Sequence, residues 1–195
     1  PSYLDIGAHH PTYLNNTFYF YQRGSAGVNI EPDPYLFDAF LTDRSNDTNL
    51  NIGVGVDGIS RESTADFFIM SARTLNTFSK EEAERVQNFG SIQIENIVKV
   101  PLIDVNYIIE KYFSNNTPDL VSIDVEGLDY EIIKRINFSK FRPAVICIET
   151  ITYNEDKKER KQTEIIEYLC ENNYIIYADT YINTIFVEGN IWKSR

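Results

Sequence analysis

Five acidic side chains, Asp5, Glu31, Asp124, Glu126 and Glu149, stand where short apolar runs end, and they carry the chain's clearest chemical signal. The run Asp119-Leu-Val-Ser-Ile brings Asp124 and Glu126 to its carboxyl end, and Gly127 then turns the chain toward a helical pattern. Residues two apart on an extended segment point the same way, so both carboxylates are expected on one side. The next apolar run, Ala144–Ile148, ends in Glu149. Three carboxylates converging on one rim suit a general base or a divalent-metal site, with Asp124 and Glu149 the metal candidates. Glu126 can equally cap the following helix, and Glu149 can be a plain strand end. Both readings stay open at this point.

A second group gathers near the start of the chain. The strand Tyr3–Ile6 runs into Gly7-Ala8-His9-His10, and Gly7, having no side chain, lets backbone approach a ligand closely. The helix beginning near Asn15-Asn16-Thr17 has free N–H groups and a positive dipole end that suit a carboxylate or phosphate. A second strand ends in Glu31-Pro32. An acidic residue there, about 20 residues past the first glycine, accepts hydrogen bonds from ribose hydroxyls in nucleotide-binding folds. The group reads as a site for a nucleoside-containing ligand, against the plainer reading of a turn glycine and a surface carboxylate. NAD or FAD would call for Gly-x-Gly-x-x-Gly, whereas Gly7-Ala8-His9-His10-Pro11-Thr12 has one glycine and a proline.

The elements that must position these residues alternate in type. Strands are expected at Tyr3–Ile6, Gly27–Ile30, Leu50–Val56, Ala65–Met70, Ile97–Val100, Leu120–Ile123, Ala144–Ile148, Tyr174–Ala178 and Thr184–Val187. Several are unbroken apolar runs, as in strands buried on both faces. Helices are expected at Asn16–Gln22, Pro34–Leu41, Lys80–Asn88, Ile103–Phe113, Tyr130–Ile136 and Glu159–Glu171. Asp33 before Pro34, and Ser79 with Glu82 three residues on, are N-terminal capping signals. The alternation implies an α/β fold with a mostly parallel, doubly wound sheet. The short link Asp179–Asn183 implies a C-terminal antiparallel hairpin.

Bulk properties narrow the function. A chain of 195 residues fits a single domain over 1–195. The abrupt opening at Pro1-Ser2, one step before a strand, leaves room for an upstream segment. The formal charge is −11, and the one basic cluster, Lys157-Lys158-Glu159-Arg160-Lys161, reads as the solvated face at a helix start. Nucleic acid is therefore not an expected partner. Cys147, inside an apolar run, reads as a buried inert thiol, and with Cys170 it forms no disulfide framework, as in a reducing cytoplasm. No stretch is long and apolar enough for a membrane span. The pattern selects no oligomeric state.

Taken in order, the motifs become familiar. Asp124-Val-Glu126-Gly127, then Glu131, then Phe141-Arg-Pro143-Ala-Val-Ile-Cys-Ile-Glu149 resemble the core signature of the FkbM-type methyltransferase family. Val100-Pro-Leu-Ile-Asp104 resembles that family's approach to the strand before Asp124, and Leu4-Asp5-Ile-Gly7-Ala8 and Ile30-Glu31-Pro32 resemble its cofactor motifs. The resemblance implies a class I Rossmann-like methyltransferase fold, S-adenosylmethionine as donor, and transfer to a hydroxyl, often on a sugar or natural-product scaffold. It implies that Asp5 and Gly7 lie beside the methionine and ribose portions, that Glu31 holds the ribose hydroxyls, and that Asp124 faces the sulfonium. The family commonly has Asn-Gly after the Gly-Ala pair. This chain has His9-His10-Pro11 in a slightly longer loop, so Asn16 and Thr17 are the candidates near the methionine carboxylate.

The expected site is thus catalytic at Asp124, Glu126, Glu149 and His10, and cofactor-binding at Asp5, Gly7, His9, Asn16, Thr17, Glu31, Pro32 and Asp124. His10 titrates near neutral pH and so can serve as a base, or it can simply hydrogen-bond within the loop. A zwitterionic methionine tail asks less of the loop than a pyrophosphate does, and the acidic rim would attract a sulfonium cation. Divalent magnesium would be a second aid to deprotonation. The acceptor loops are expected at Ser71–Gln93, carrying Phe78 and Phe89, and at Thr150–Lys158. A nucleotide-dependent oxidoreductase and a catalytically degenerate binding domain are the alternatives.

Overall fold

The computed structural model describes residues 1–56, 63–153 and 159–194. The chain runs β1 (Tyr3–Ile6), α1 (Phe18–Tyr21), β2 (Gly27–Ile30), α2 (Pro34–Asp43), β3 (Thr48–Leu50), β4 (Gly53–Val54), β5 (Thr64–Met70), α3 (Lys80–Asn88) and β6 (Ile94–Ile103). It continues through α4 (Val105–Tyr112), β7 (Leu120–Ile123), α5 (Asp129–Arg135), β8 (Val145–Glu149), β9 (Ile151–Tyr153), β10 (Glu159–Lys161), α6 (Thr163–Glu171), β11 (Tyr174–Asp179), β12 (Asn183–Glu188) and α7 (Gly189–Lys193).

Seven strands form the main sheet in the order β11-β12-β8-β7-β1-β2-β3. Neighbours from β3 to β8 are parallel, while β12 runs antiparallel to both β8 and β11. Counted along the chain this is 3-2-1-4-5-7-6, the class I methyltransferase arrangement with its expected C-terminal antiparallel hairpin. The strand order reverses beside β1, between β2 and β7, and that switch point is where open α/β sheets place ligands.

The two faces of the sheet differ in chemistry. Leu4, Ile6, Val28, Ile30, Val121, Ile123, Ile146 and Ile148 share one apolar core with residues of α4, α5 and α6. The alternate positions form a polar row across the opposite face, with Asp5 in register with Asn29 and Ser122, Asn29 with Asn49, and Ser122 with Cys147. A fully buried Arg44 organises that face. Its guanidinium donates to Asp47 Oδ2 (2.8 Å), Pro11 O (3.0 Å), Asn15 Oδ1 (3.1 Å), Tyr3 OH (3.0 Å) and Thr17 Oγ1 (3.0 Å). A buried charge persists only when its donors are used in this way. Half-buried Cys147 sits in the same row, and burial beside Asp5 and Asp124 pushes its thiol up to about 12, consistent with the expected inert thiol.

Several expected elements are redrawn. The strand Leu50–Val56 is two strands in different sheets: β3 ends the main sheet, while β4 pairs with β6. Asn51 causes the break, since its Nδ2 donates to the carbonyls of Glu31 (2.8 Å) and Pro32 (3.0 Å) where strand pairing stops. The strands expected at Ala65–Met70 and Ile97–Val100 do not join the parallel sheet. As β5 and the longer β6 they pair antiparallel and, with β4, make a separate three-stranded sheet. The helix expected at Ile103–Phe113 starts at Val105, because the Asp104 carboxylate caps the N–H groups of Asn106 and Tyr107. The helix expected at Asn16–Gln22 is the single turn α1.

The helix expected from Glu159 begins only at Thr163, and Glu159–Lys161 pair instead with β9. Lys161 is not on a solvated helix face: its ammonium donates to Thr150 Oγ1 (3.0 Å), Asp179 Oδ1 (2.8 Å) and Tyr181 O. Lys157, Lys158 and the end of the expected acceptor loop lie outside the described residues. No helix among the described residues is long and apolar enough to cross a membrane.

Candidate active site

Gly7 determines how closely the two halves of the site approach. Its φ is +79°, and a Cβ there would lie 1.8 Å from the Asp124 carbonyl oxygen. Only glycine lets the turn after β1 lie against the backbone that follows β7. Asp124 N donates to Ile6 O (3.0 Å), which carries the β1–β7 pairing one residue beyond the strands. His9 follows with φ 55°, an unusual conformation for a side-chain-bearing residue, and its N–H donates to Glu31 Oε2 (2.7 Å).

Glu31 is buried at the end of β2, and its other oxygen accepts from Asp33 N (2.7 Å). Burial pushes its pKa up to about 8, against the pull of these two backbone N–H groups. Asp5, also buried, is raised above the usual carboxylate range by burial, although Thr17 Oγ1 (2.8 Å) and Asn15 Nδ2 (3.2 Å) donate to it. Asn15 also donates to Ala8 O (2.9 Å) and accepts from Thr17 N (3.1 Å), so it ties the loop together.

The opposite half is the turn Asp124–Asp129. Asp129, buried at the start of α5, accepts from Val125 N (3.1 Å) and Gly127 N (3.3 Å). Asp129 thus ties together the turn before α5, no described side chain caps that helix, and Glu126, at φ 54°, lines the cavity instead of serving as the expected cap. Asp124, Glu126 and Glu149 bring carboxylate oxygens within 4.8 Å of one another. Burial pushes Asp124 up to about 7, with repulsion from Asp129 and Asp5 adding to it; burial first, and repulsion from neighbouring carboxylates that include Asp124 second, push Glu149 up to about 10 and Glu126 well above its ordinary value. Near neutral pH the group therefore holds protons or attracts a cation, and the ligand atoms of all three suit a hard divalent ion as well as a general base.

The small sheet and the connection between β5 and β6 form a roof. Thr77 Oγ1 donates to Glu126 O (2.7 Å), clasping the roof to the acidic turn. Phe67 and Phe78 pack with ring centroids 4.6 Å apart. Arg73 pairs with Asp33 Oδ2 and lies 5.0 Å from the Tyr35 ring centroid, and Asn76 Nδ2 donates to the same Asp33 oxygen (2.9 Å).

Between these walls is a cavity of about 400 Å³. Asp5, Gly7, His9, Asn16, Glu31, Pro32, Asp124, Glu126 and Glu149 all line it. Thr17 does not; it is fully buried behind the wall, bonded to Asp5, Asn15 and Arg44. Its N–H is taken by Asn15, so the one-turn α1 offers less to an anion than the sequence suggests. His10 also lies off the cavity, its Nδ1 accepting from Thr12 N (3.2 Å) and Tyr13 N (3.1 Å) as a loop fastener.

Sequence reasoning did not single out Asn15, Phe67, Arg73, Asn76, Asp129, Ile151, Ile182 or Asn183. Asn15 directly precedes the chosen Asn16, and Arg73, Asn76 and Phe78 fall in the loop expected to contact the acceptor, so proximity was the available signal. For Asn183 it was the start of the last strand, which meets Glu149 only through antiparallel pairing.

The methyltransferase FkbM domain family matches residues 5–176. A TehB-like SAM-dependent methyltransferase structure from Corynebacterium glutamicum superposes with a TM-score of 0.43 at 9% identity, over 96% of this chain and 79% of that one. No curated protein matches the chain.

Proposed function

The chain belongs to the FkbM family of S-adenosylmethionine-dependent methyltransferases, and we propose that it moves the methyl group to a hydroxyl oxygen of a small substrate. The observation that carries this reading is the shared cavity: the residues at the ends of β1 and β2 line the same space as the three carboxylates at the carboxyl ends of β7 and β8. A volume of about 400 Å³ suits small molecules. Family membership sets aside the oxidoreductase alternative.

The residues present fit the cofactor. Gly7 leaves backbone accessible where a side chain would collide with Asp124 O. Glu31 spends one acceptor position per oxygen on a backbone N–H, and its remaining lone pairs are free for a ribose diol. Asp5, His9, Asn16 and Pro32 line the same cavity, and in this reading the first three would border the methionine portion and Pro32 the nucleoside. When bound, S-adenosylmethionine supplies an electrophilic methyl group on a cationic sulfur. Asp124, partly ionised near neutral pH, offers that cation a negative charge and so favours the donor over its neutral product.

Asp124 is the group we assign to receive the acceptor's proton. A pKa near 7 leaves it ionised in part at neutral pH, the range in which a general base works best. Glu126 and Glu149, which hold protons more tightly, orient the acceptor hydroxyl and share the charge. Positioning does the rest, since an in-line displacement needs donor and acceptor atoms about 3 Å apart.

The test is incubation with donor carrying a carbon-13 methyl group and a set of small alcohols, amines and thiols. A methoxy carbon resonance is expected by NMR. Label appearing on nitrogen, sulfur or carbon alone would overturn the assignment to oxygen.

A further inference from the structure

The loop from Gly7 to Asn16 carries much of the cofactor half of the cavity, yet it contains no helix or strand. Its near end is fixed by β2 and Glu31: Gly7 N and Ala8 N donate to Ile30 O (3.1 and 3.0 Å), and His9 N donates to Glu31 Oε2 (2.7 Å). Its far end is fixed by Arg44, a fully buried residue just past α2. Arg44 Nη1 donates to Pro11 O (3.0 Å) and Asn15 Oδ1 (3.1 Å), and Nη2 donates to Thr17 Oγ1 (3.0 Å). Asn15 and Thr17 flank Asn16, so one guanidinium grips both sides of a residue that lines the cavity. Thr17 Oγ1 in turn donates to Asp5 Oδ2 (2.8 Å), and Asn15 Nδ2 donates to the same oxygen (3.2 Å).

Stability of the sheet face does not by itself account for this arrangement. Asp47, the charge that balances Arg44, also accepts from Gly27 N (2.8 Å), Asn29 Nδ2 (2.9 Å) and Tyr3 OH (2.8 Å). The ion pair with Asp47 is made by Nε of Arg44, which leaves both terminal nitrogens to the loop and its neighbours. A buried ion pair is costly to desolvate, and packed apolar side chains of similar volume often hold a fold as well. Apolar side chains cannot hold three acceptors at fixed positions, which the rigid planar fork of arginine does.

The geometry points to Arg44 as a positioning residue for the amino-acid end of the methyl donor: through Thr17 it sets Asp5, and through Asn15 and Thr17 it sets Asn16. Arg44 itself stands behind the wall and acts on the ligand only through these side chains. The inference rests on the methyltransferase reading above, in which Asp5 and Asn16 border the methionine portion. The nucleoside end is held from β2 by Glu31, whose own hydrogen bonds run to His9 N and Asp33 N and not through Arg44. Loss of the Arg44 grip therefore weakens the hold on the tail and spares the nucleoside.

The test is calorimetry, on protein folded by circular dichroism, with two ligands: S-adenosylhomocysteine, and methylthioadenosine, which keeps the nucleoside and the sulfur but lacks the amino-acid tail. The unaltered protein should bind S-adenosylhomocysteine more tightly. Arg44→Lys keeps the charge facing Asp47 but gathers its donors on one nitrogen. It should weaken S-adenosylhomocysteine about tenfold, the effect of one lost hydrogen bond, and leave methylthioadenosine unchanged. Thr17→Val removes the hydroxyl between Arg44 and Asp5 and should do the same, whereas Thr17→Ser, which retains a hydroxyl, should bind both ligands as the unaltered protein does. A merely structural role would lower the Tm and weaken both ligands alike. The Thr17 pair decides the matter if Arg44→Lys does not fold. Equal losses for the two ligands, or unaltered S-adenosylhomocysteine binding in folded Arg44→Lys or in Thr17→Val, overturns the inference. Failure of the unaltered protein to bind S-adenosylhomocysteine overturns the methyltransferase reading, and the inference with it.

Discussion

At the scale of single residues, Asp124 governs the proton balance. If it receives the acceptor's proton, Asp124→Asn should lower the transfer rate by about 10²–10⁴-fold while the protein stays folded by circular dichroism. An unaltered rate would remove it from the chemistry. The pH profile follows from the raised pKa: kcat/KM should climb as pH rises through about 7, where free Asp124 loses its proton. The limb in kcat should lie lower, because a bound sulfonium favours the ionised carboxylate. Gly7 is the second decisive residue. Gly7→Ala puts a methyl group 1.8 Å from Asp124 O at a φ of +79°, so the loop must shift. S-adenosylhomocysteine binding should then be lost in calorimetry even where a folded core remains.

At the scale of elements, the roof and the sheet's polar face hold the site in place. Thr77→Val removes the hydroxyl that clasps the roof to Glu126 O, and cofactor affinity should fall by about tenfold for the loss of one hydrogen bond. Arg44→Ala leaves Asp47 buried without its ion pair. A loss of about 3–5 kcal/mol follows, seen as a Tm lower by roughly 6–20 °C for a chain of this size.

The strands β1, β2, β7 and β8 were legible in the sequence because they are short, mostly apolar runs bounded by turns. The carboxylates at their ends were legible with them. The helix Lys80–Asn88 was read correctly, but the sheet pairing of the strands in residues 50–103 was misread, because Asn51 ends β3 through contacts with Glu31 and Pro32, which no local pattern reveals. Arg44, Asn15 and Asp129 escaped for a similar reason. Arg44 is a buried charge whose partners include residues 27 to 41 positions away, and Asp129 looks like an ordinary first-turn acid until its bonds to Val125 and Gly127 are seen. Lys161 looked solvated because Thr150, Asp179 and Tyr181 reach it only through tertiary structure.

At the scale of the whole molecule, the acidic cavity should set the response to pH. Asp129 is pushed up to about 6, Asp124 to about 7 and Glu31 to about 8, so the folded protein keeps protons that the unfolded chain has already released. Where the native state binds more protons, stability falls as pH rises. The Tm of ligand-free protein should therefore decline from about pH 5 to pH 8, and the donor, as a cation, should flatten that decline. The most direct test of the central claim is a thermal-unfolding series with S-adenosylmethionine, S-adenosylhomocysteine, NAD and no ligand. At 100 times its dissociation constant a ligand adds about 2.7 kcal/mol, or roughly 5–10 °C in Tm here. The account predicts that shift for the two adenosyl compounds and none for NAD. Stabilisation by NAD, or by none of the ligands, would contradict it.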